Sequence, residues 1–572
     1  MSNSGLLLSI AKDALLAQQY GINVTAQNIA NADTPGYTKQ TPVFTSRTSI
    51  SYNGLTFGSG VTIEEIIQAR DNYLEERLRD QGTNLSGLEE KEKYLSFIEG
   101  IFNEDSEYSL SAQLADFWNA WQDLSNNPSG ELERTMVYET SSLLADNFTY
   151  LKENLVAIER DINQSIEEGV NQVNQLIAQL ASLNSEIINL EATSPANDLK
   201  DQRNVILEEL SSYIDIKCYE AGNGNLTVLT SDGHILVDEA SVSSILFEDG
   251  DIKWDSGGGT EATITDSING GKIGGWLELR DENIATYKDN LDEFAESLIF
   301  EVNRIHASGV GKATFTEVQG TYKIGDSSSA VNSSGLYFQN NVTDGSLKFW
   351  IYDETGNVVD LGGPAGELPI DIDVDLTTID GIVSAIDGLG GGNISAEVTS
   401  QGYLKITASS DYTFAFSDDT SNILAALGIN TFFSGTNADT IAVNSCLAEN
   451  KAYIAAGRVD SDGSIAAGDN SNACAIADLQ YEEISFSEAG TTFENYCHSL
   501  VGLIGIHSKN IQDQRGSSEI IVSQLTEMRD NASSVSLDEE MTNLIKFQHA
   551  YAAAAKLIKT ADEMLEVLLA VR

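Results

Sequence analysis

Three short stretches of this chain carry residue types that could do chemistry. Cys497 and His498 stand side by side, the pairing a thiol nucleophile and its base would need. They fall, however, in a stretch with helical spacing, where adjacent side chains point about 100° apart and cannot face one another. Asp460-Ser461-Asp462-Gly463 has the opening of a calcium loop but lacks the third acidic or Asn ligand before the glycine and the closing Glu, so an ordinary turn is expected. Gly390, Gly391 and Gly392 with Gly388 lack the Lys and the following helix that phosphate binding uses.

The remaining candidates are dispersed. Cys218, Cys446, Cys474 and Cys497 show no C-x-x-C spacing and no nearby His pair, which argues against zinc and for buried thiols, with one disulfide left open. Of the five histidines (His234, His306, His498, His507, His549), the sequence places His306, His507 and His549 on helices beside apolar neighbours, where structural roles are expected. Asp371, Asp373 and Asp375 alternate with Ile370, Ile372, Val374 and Leu376, the pattern of a strand with one solvated acidic face. No catalytic constellation emerges, and no enzyme activity, cofactor or metal is expected.

The 572 residues carry a net charge of −55 with only 32 Lys and Arg, which argues against nucleic acid or an anionic membrane as partner. The length allows several domains, and a 41% hydrophobic content is that of a folded chain. No run approaches the roughly 18 apolar residues of a membrane span. No Lys or Arg precedes Leu6 and the apolar stretch is broken at Lys12 and Asp13, so a cleaved secretory leader is not expected.

The elements that must organise the chain are most distinctive at its ends. Residues 1–50 carry Lys12, Lys39 and Arg47 against Asp13 and Asp33; residues 531–572 carry Lys546, Lys556, Lys559 and Arg572 against six acids, so the ends contribute −1 of the total −55. Leu8, Leu15, Ile22 and Ile29 recur every seven residues, flanked by Ile10, Ala14, Ala17, Gly21 and Val24. At the other end Ser536 and Glu539 form a capping box; Leu537, Leu544, Tyr551, Ile558 and Leu565 then share one heptad position, and Met541, Ala555 and Leu569 the next. Asn28 and Asn31 compete for backbone bonds, Pro35 drives Thr34 extended, and Pro35-Gly36 fits the centre of a type II turn, so the first helix ends sharply before Tyr37.

Between the ends, the spacing predicts a second helix from near Ile63, after a hairpin or extended excursion through Ile50, Tyr52 and Asn53-Gly54. A long helix runs from Leu155 to Leu190 and stops at Ser194-Pro195, and a partner helix from Leu199 through Tyr213 closes a helical hairpin. A helix from Ile284 to Ile305 ends at Gly309, and another from Thr492 to Met528 holds Gly516 as a candidate kink. The fold expected is α+β, nested and multidomain: residues 1–50 plus 531–572 as paired terminal helices in a coiled-coil axial domain, 51–217 plus 441–530 as a long-helix body, 218–310 mixed, and 311–440 a β-rich inserted outer domain.

The stretch NIANADTPGYTKQ, Asn28 to Gln40, resembles the N-terminal signature of bacterial flagellar axial proteins, and SLDEEMTNLIKFQHAYAAAAKLIKTADEMLEVLL, Ser536 to Leu569, resembles their C-terminal one. Rod, hook and hook-associated proteins share these ends. Thr34-Pro35-Gly36-Tyr37 followed by Lys39-Gln40 is similar to the hook-associated branch at the junction of hook and filament. So are ANDLKDQRNVILEELSSYIDI from Ala196, GGKIGGWLELRDENIATYKDNLDEFA from Gly270 and FFSGTNADTIAVN from Phe432. Lys39 stands where the family usually has Arg, and residues 311–425 carry little of the resemblance.

The resemblance implies a structural role, with the chain in a ring of its own copies, hook protein below, a second junction protein above, an export chaperone, and a place outside the cell. The residues expected to form the assembly interface are the heptad and turn positions: Leu8, Leu15, Ile22, Ile29, Asn28, Asn31, Thr34, Pro35, Gly36, Tyr37, Leu537, Met541, Leu544, Tyr551, Ala555, Ile558, Leu565 and Leu569. Isolated helices of about 30 residues are marginal in water, so these ends are expected to be mobile until assembly orders them. A different reading makes the β insertion a surface interaction or adhesion module, or the chain another axial protein such as hook protein.

Overall fold

Helical spacing and helix stops in the sequence become long helices in the structure. A computed structural model describes residues 3–52, 55–103, 106, 108–222, 224–486 and 490–570. Its principal helices are α1 (Asn3–Ala30), α2 (Asn72–Ile101), α3 (Leu110–Asn126), α4 (Glu131–Glu191), α5 (Asn197–Tyr213), α6 (Ala285–Ala307), α7 (Phe493–Ser533) and α8 (Leu537–Ala570). The helix expected from Leu155 is the later part of α4, which already begins at Glu131 and ends just before Ser194-Pro195. α7 continues through Gly516 as one helix, without the break the glycine would permit.

One expectation is overturned. Residues from Ile63 onward do not start a helix: the chain forms strands β1 (Gln40–Ser46), β2 (Ile50–Tyr52), β3 (Leu55–Phe57) and β4 (Val61–Gln68). β4 pairs antiparallel with β1, Gln40 opposite Gln68 and Ser46 opposite Val61. Val61, Ile63, Ile66 and Ile67 are β-branched and favour the pleated surface. The helix start lies further on at Asp71, whose carboxylate accepts the amides of Tyr73 at 3.1 Å and Leu74 at 3.2 Å. β2 and β3 form the expected hairpin with Tyr52 opposite Leu55, and Asn53-Gly54 lie outside the described residues.

The chain folds as two compact units. One comprises Met1–Lys93, Asp161–Asp281 and Lys509–Arg572, the other Tyr94–Arg160 and Glu282–Ser508. In the first, the predicted apolar line of α4 is buried from Ile162 through Ile166, Val170, Val173, Ile177, Leu180 and Ile187. Within this unit, strands Ile216–Glu220, Leu226–Thr230, Ile235–Asp238 and Ser241–Val242 form an antiparallel meander, and Asn184 of α4 donates to the Leu226 carbonyl at 2.7 Å. The glycines of the GGKIGG stretch serve close approach: a Cβ on Gly275 would stand 2.6 Å from the Gly87 carbonyl oxygen of α2.

In the second unit the core is aromatic. Phe117 and Trp121 of α3 pack on Phe432, which with Phe433 belongs to the FFSGTNADTIAVN stretch. Strand Gly345–Asp353 lies between Leu368–Ile372 and Tyr412–Ser417, all antiparallel. Both faces of that central strand are buried, since Trp350 and Tyr352 are covered as well as Leu347, Phe349 and Ile351. The Ile370 alternation ends at Ile372; from Asp373 the chain turns, the Thr377 amide bonding back to the Asp373 carbonyl at 2.8 Å, and Leu376 is left 77% exposed.

Candidate assembly interface

The first helix ends as its sequence dictates. The Tyr37 amide donates to the Thr34 carbonyl at 3.2 Å and Gly36 has φ +77°, which closes the Pro35-Gly36 turn in the form expected. A Cβ at Gly36 would also fall 2.4 Å from the Val205 Cγ2 of α5. Asn31 donates to the Gln27 carbonyl at 3.1 Å and accepts from the Thr34 hydroxyl at 3.2 Å.

Asn28 is buried and uses its whole amide. Its Nδ2 donates to the Gln40 carbonyl at 2.8 Å and to the Glu540 carboxylate at 3.0 Å, while its Oδ1 accepts from the Gln40 amide at 3.0 Å and the Tyr37 hydroxyl at 2.8 Å. One side chain thus ties the end of α1, strand β1, the turn and the first turn of α8 together. Burial, with Asp198, Asp201 and Glu540 nearby, holds the Tyr37 phenol far above its usual range, so it stays a donor.

The turn docks on the start of α5. The Thr38 amide reaches Asp201 at 3.0 Å and its hydroxyl bonds the same carboxylate, which also accepts from Gln68 at 2.8 Å. Asp198 accepts from Gln27 at 2.9 Å and Gln40 at 2.8 Å. Burial pushes the Asp201 carboxyl up, and the Thr38 bonds oppose the shift. Lys39 pairs with Glu539 at 2.7 Å and lies 3.7 Å from Glu540. That contact raises the Lys39 ammonium and lowers the Glu539 carboxyl. Glu539 therefore gives its side chain to Lys39, and the capping box keeps only the bond from the Glu539 amide to Ser536 Oγ, at 3.5 Å.

α1 and α8 run antiparallel: Asn28 meets Glu540, and seven residues back along α1 Gly21 faces Phe547, seven residues forward along α8. The contact is built on small side chains. Ala11, Ala17, Gly21 and Val24 are buried on α1, and Ala554 and Ala561 on α8. A Cβ on Gly21 would lie 3.1 Å from the Phe547 ring. The pair therefore closes along the flank of the leucine line.

The larger heptad residues are left incompletely covered. Leu15, Ile22, Ile29, Leu544, Tyr551, Ala555, Ile558 and Leu565 are half-buried and Leu8 is exposed. Leu537 and Met541 are 50% and 51% exposed, beside Ile545, Leu557, Met564 and Val567 on the same helix. The Leu569 side chain lies outside the described residues. Asn28, Asn31, Thr34, Pro35, Gly36 and Tyr37 come together at the α5 end of the pair, with Thr34, Pro35 and Gly36 at the surface. Sequence reasoning missed Glu540, Asp198 and Asp201 as parts of this site. The Asp198 and Asp201 spacing, three apart at a helix start, was the available signal.

None of the described helices is long and apolar enough to cross a membrane, and the described residues hold no cluster of His, Cys, Asp and Glu able to bind a metal. The four cysteines form no disulfide with one another, and burial pushes Cys446 up to about 11.

Comparison with known proteins matches the same elements. Residues 8–38 match the flagella basal body rod protein family, residues 529–571 the C-terminal family of the flagellar basal body rod FlgEFG proteins, and residues 95–317 the helical domain of flagellar hook-associated protein FlgK. Both ends thus define a flagellar axial protein. Flagellar hook-associated protein 1 of Bacillus subtilis (strain 168) is 28% identical over 99% of this chain and 98% of its own. That of Escherichia coli (strain K12) is 24% identical over 99% and 100%. The flagellar hook junction protein FlgK from Burkholderia pseudomallei shares the fold with a TM-score of 0.51 at 17% identity, covering 80% of this chain and all of that one. Over nearly its whole length the chain is thus similar to flagellar hook-associated protein 1, and its central helices match the FlgK helical domain.

Proposed function

We propose that the α1 and α8 pair is the element by which this structural flagellar protein is built into the junction between hook and filament. The exposed apolar face of α8 carries this reading. Leu537, Met541, Ile545, Leu557, Met564 and Val567 remain in water after the pair has closed, in a chain whose other surfaces are strongly acidic. Large apolar side chains left exposed in this number along one helix mark an interaction site. Near-neutral helices offering such a face pack against like helices from several sides, and the acidic remainder of the chain stays in water.

In this reading the Asn28 network sets the register of α1 against α8, and neighbouring copies cover the outer face, completing a ring outside the cell. Hook protein lies below, a second junction protein above, and an export chaperone covers the apolar face before assembly. A pair resting on alanines and a glycine is held loosely until then, so ordering and assembly are coupled. Truncation tests this: deleting residues 1–40 or 536–572 should leave the second unit folded by circular dichroism and calorimetry, yet give hooks without filaments and flagellin released to the medium. Normal filaments from either truncated form would refute it.

A further inference from the structure

Three cations are buried among the described residues, and two of them have a carboxylate. Arg203 pairs with Glu220 at 2.6 Å and Lys152 with Asp292 at 2.6 Å. Arg134, in the first turn of α4 and 3% exposed, has none: it donates to the main-chain oxygens of Ile454 and, at 2.8 Å, Pro128. The Nε of Arg134 and that of Arg203 are both buried without a partner, so the carboxylate is what distinguishes the two sites. Burial lowers Arg134 to about 10 with no acidic group offsetting it, and the titratable group it acts on, His306, is itself held neutral. In a chain with 87 acidic residues this vacancy is conspicuous, because a buried guanidinium without a counter-charge is costly.

Arg134 borders a cleft of about 580 Å³ within the second unit, a size suited to a small molecule. Lys312 lines the same cleft and donates to the Ser129 carbonyl at 3.2 Å, next to the Pro128 carbonyl that Arg134 bonds, so both cations stand at one end. The nearest acid to Lys312 is Glu131, 3.8 Å away with its side chain 93% exposed. Asp469 also lines the cleft. Its Oδ2 accepts the Arg458 amide at 2.6 Å and the Ser471 hydroxyl at 2.9 Å, and its Oδ1 the Ser471 amide at 3.1 Å. Among the lining residues two cations stand with one acid, and Tyr352 and Ile465 supply apolar wall.

We propose that this cleft binds a small organic monocarboxylate, its carboxylate between Arg134 and Lys312 and its carbon body against Tyr352 and Ile465. The full chain is titrated calorimetrically with glucuronate, gluconate and pyroglutamate, with glucose and inorganic phosphate as controls, and its melting temperature is followed in parallel. At least one carboxylate binds and raises the melting temperature while glucose and phosphate do not. Lys312→Ala, which removes an ammonium bonded only at the surface, weakens that binding by about tenfold. Arg134→Gln abolishes it, and Lys312→Ala decides the matter should that variant fail to fold. Absence of binding by all three carboxylates, equal binding of glucose or phosphate, or binding unchanged in Lys312→Ala overturns the proposal.

Discussion

α3 and α8 are both amphipathic helices, yet they end in opposite states. On α3, Phe117 and Trp121 are wholly enclosed by Phe432, Phe433 and His306, large side chains filling a core from one chain. On α8 the buried apolar residues are the small Ala554 and Ala561, while Met541, Ile545 and Leu557 stay in water. The first is a finished core and the second a surface awaiting partners. Amphipathicity alone does not distinguish them; the size of the residues on the covered side does, because small residues permit close approach but bury little area.

The contrast can be broken at four points. Trp121→Ala empties the centre of the aromatic core and should cost about 3 to 5 kcal/mol in urea unfolding of the second unit. His306 sharpens the same point through pH. Its Nε2 accepts the Ala455 amide at 2.9 Å, so the proton sits on Nδ1, bonded to the Asn430 carbonyl at 2.8 Å. Burial holds it down at about 4, whereas the unfolded imidazole titrates near 6.5. The unfolded state therefore binds the proton first. Stability is full above about pH 6.5 and falls by about 3 kcal/mol as pH drops toward 4, a loss that His306→Gln should blunt in pH-dependent melting.

At the ends the expected costs are smaller and local. Asn28→Ala strands the Gln40 amide and Glu540, so about 1 to 3 kcal/mol is lost where α1 meets α8; hydrogen exchange should speed in both helices and not in α3. Met541→Ser should change the stability of the isolated protein by less than about 0.5 kcal/mol, yet reduce assembly sharply in a motility assay. A Met541→Ser protein that assembles normally would mean that the outer face of α8 is not an interface.

Much of this was legible in the sequence because it is local. The Pro35-Gly36 stop, the Ser194-Pro195 stop, the α4 apolar line and the heptads of α8 rest on residues within one or two turns of each other. What escaped has a different physical origin. β4 reads VTIEEIIQ, apolar at both helical and strand spacing, and only its pairing with β1 decides between them. The covered side of α1 was legible only as the flank of the leucine line, because leucines outweigh Gly21 and Ala17 in any hydrophobic pattern, although the backbone can come close only along the small ones. The docking of Thr38 on Asp201, 163 residues away, joins two stretches whose composition announces no contact.

Cryo-electron microscopy of intact hook and filament junctions tests the division of labour along α8 most directly. Gly21 should still face Phe547, and Asn28 Glu540, of the same chain, while Met541, Ile545, Leu557 and Met564 are covered by neighbouring copies. Finding those four side chains in water, or α1 paired with the α8 of another copy, would contradict it.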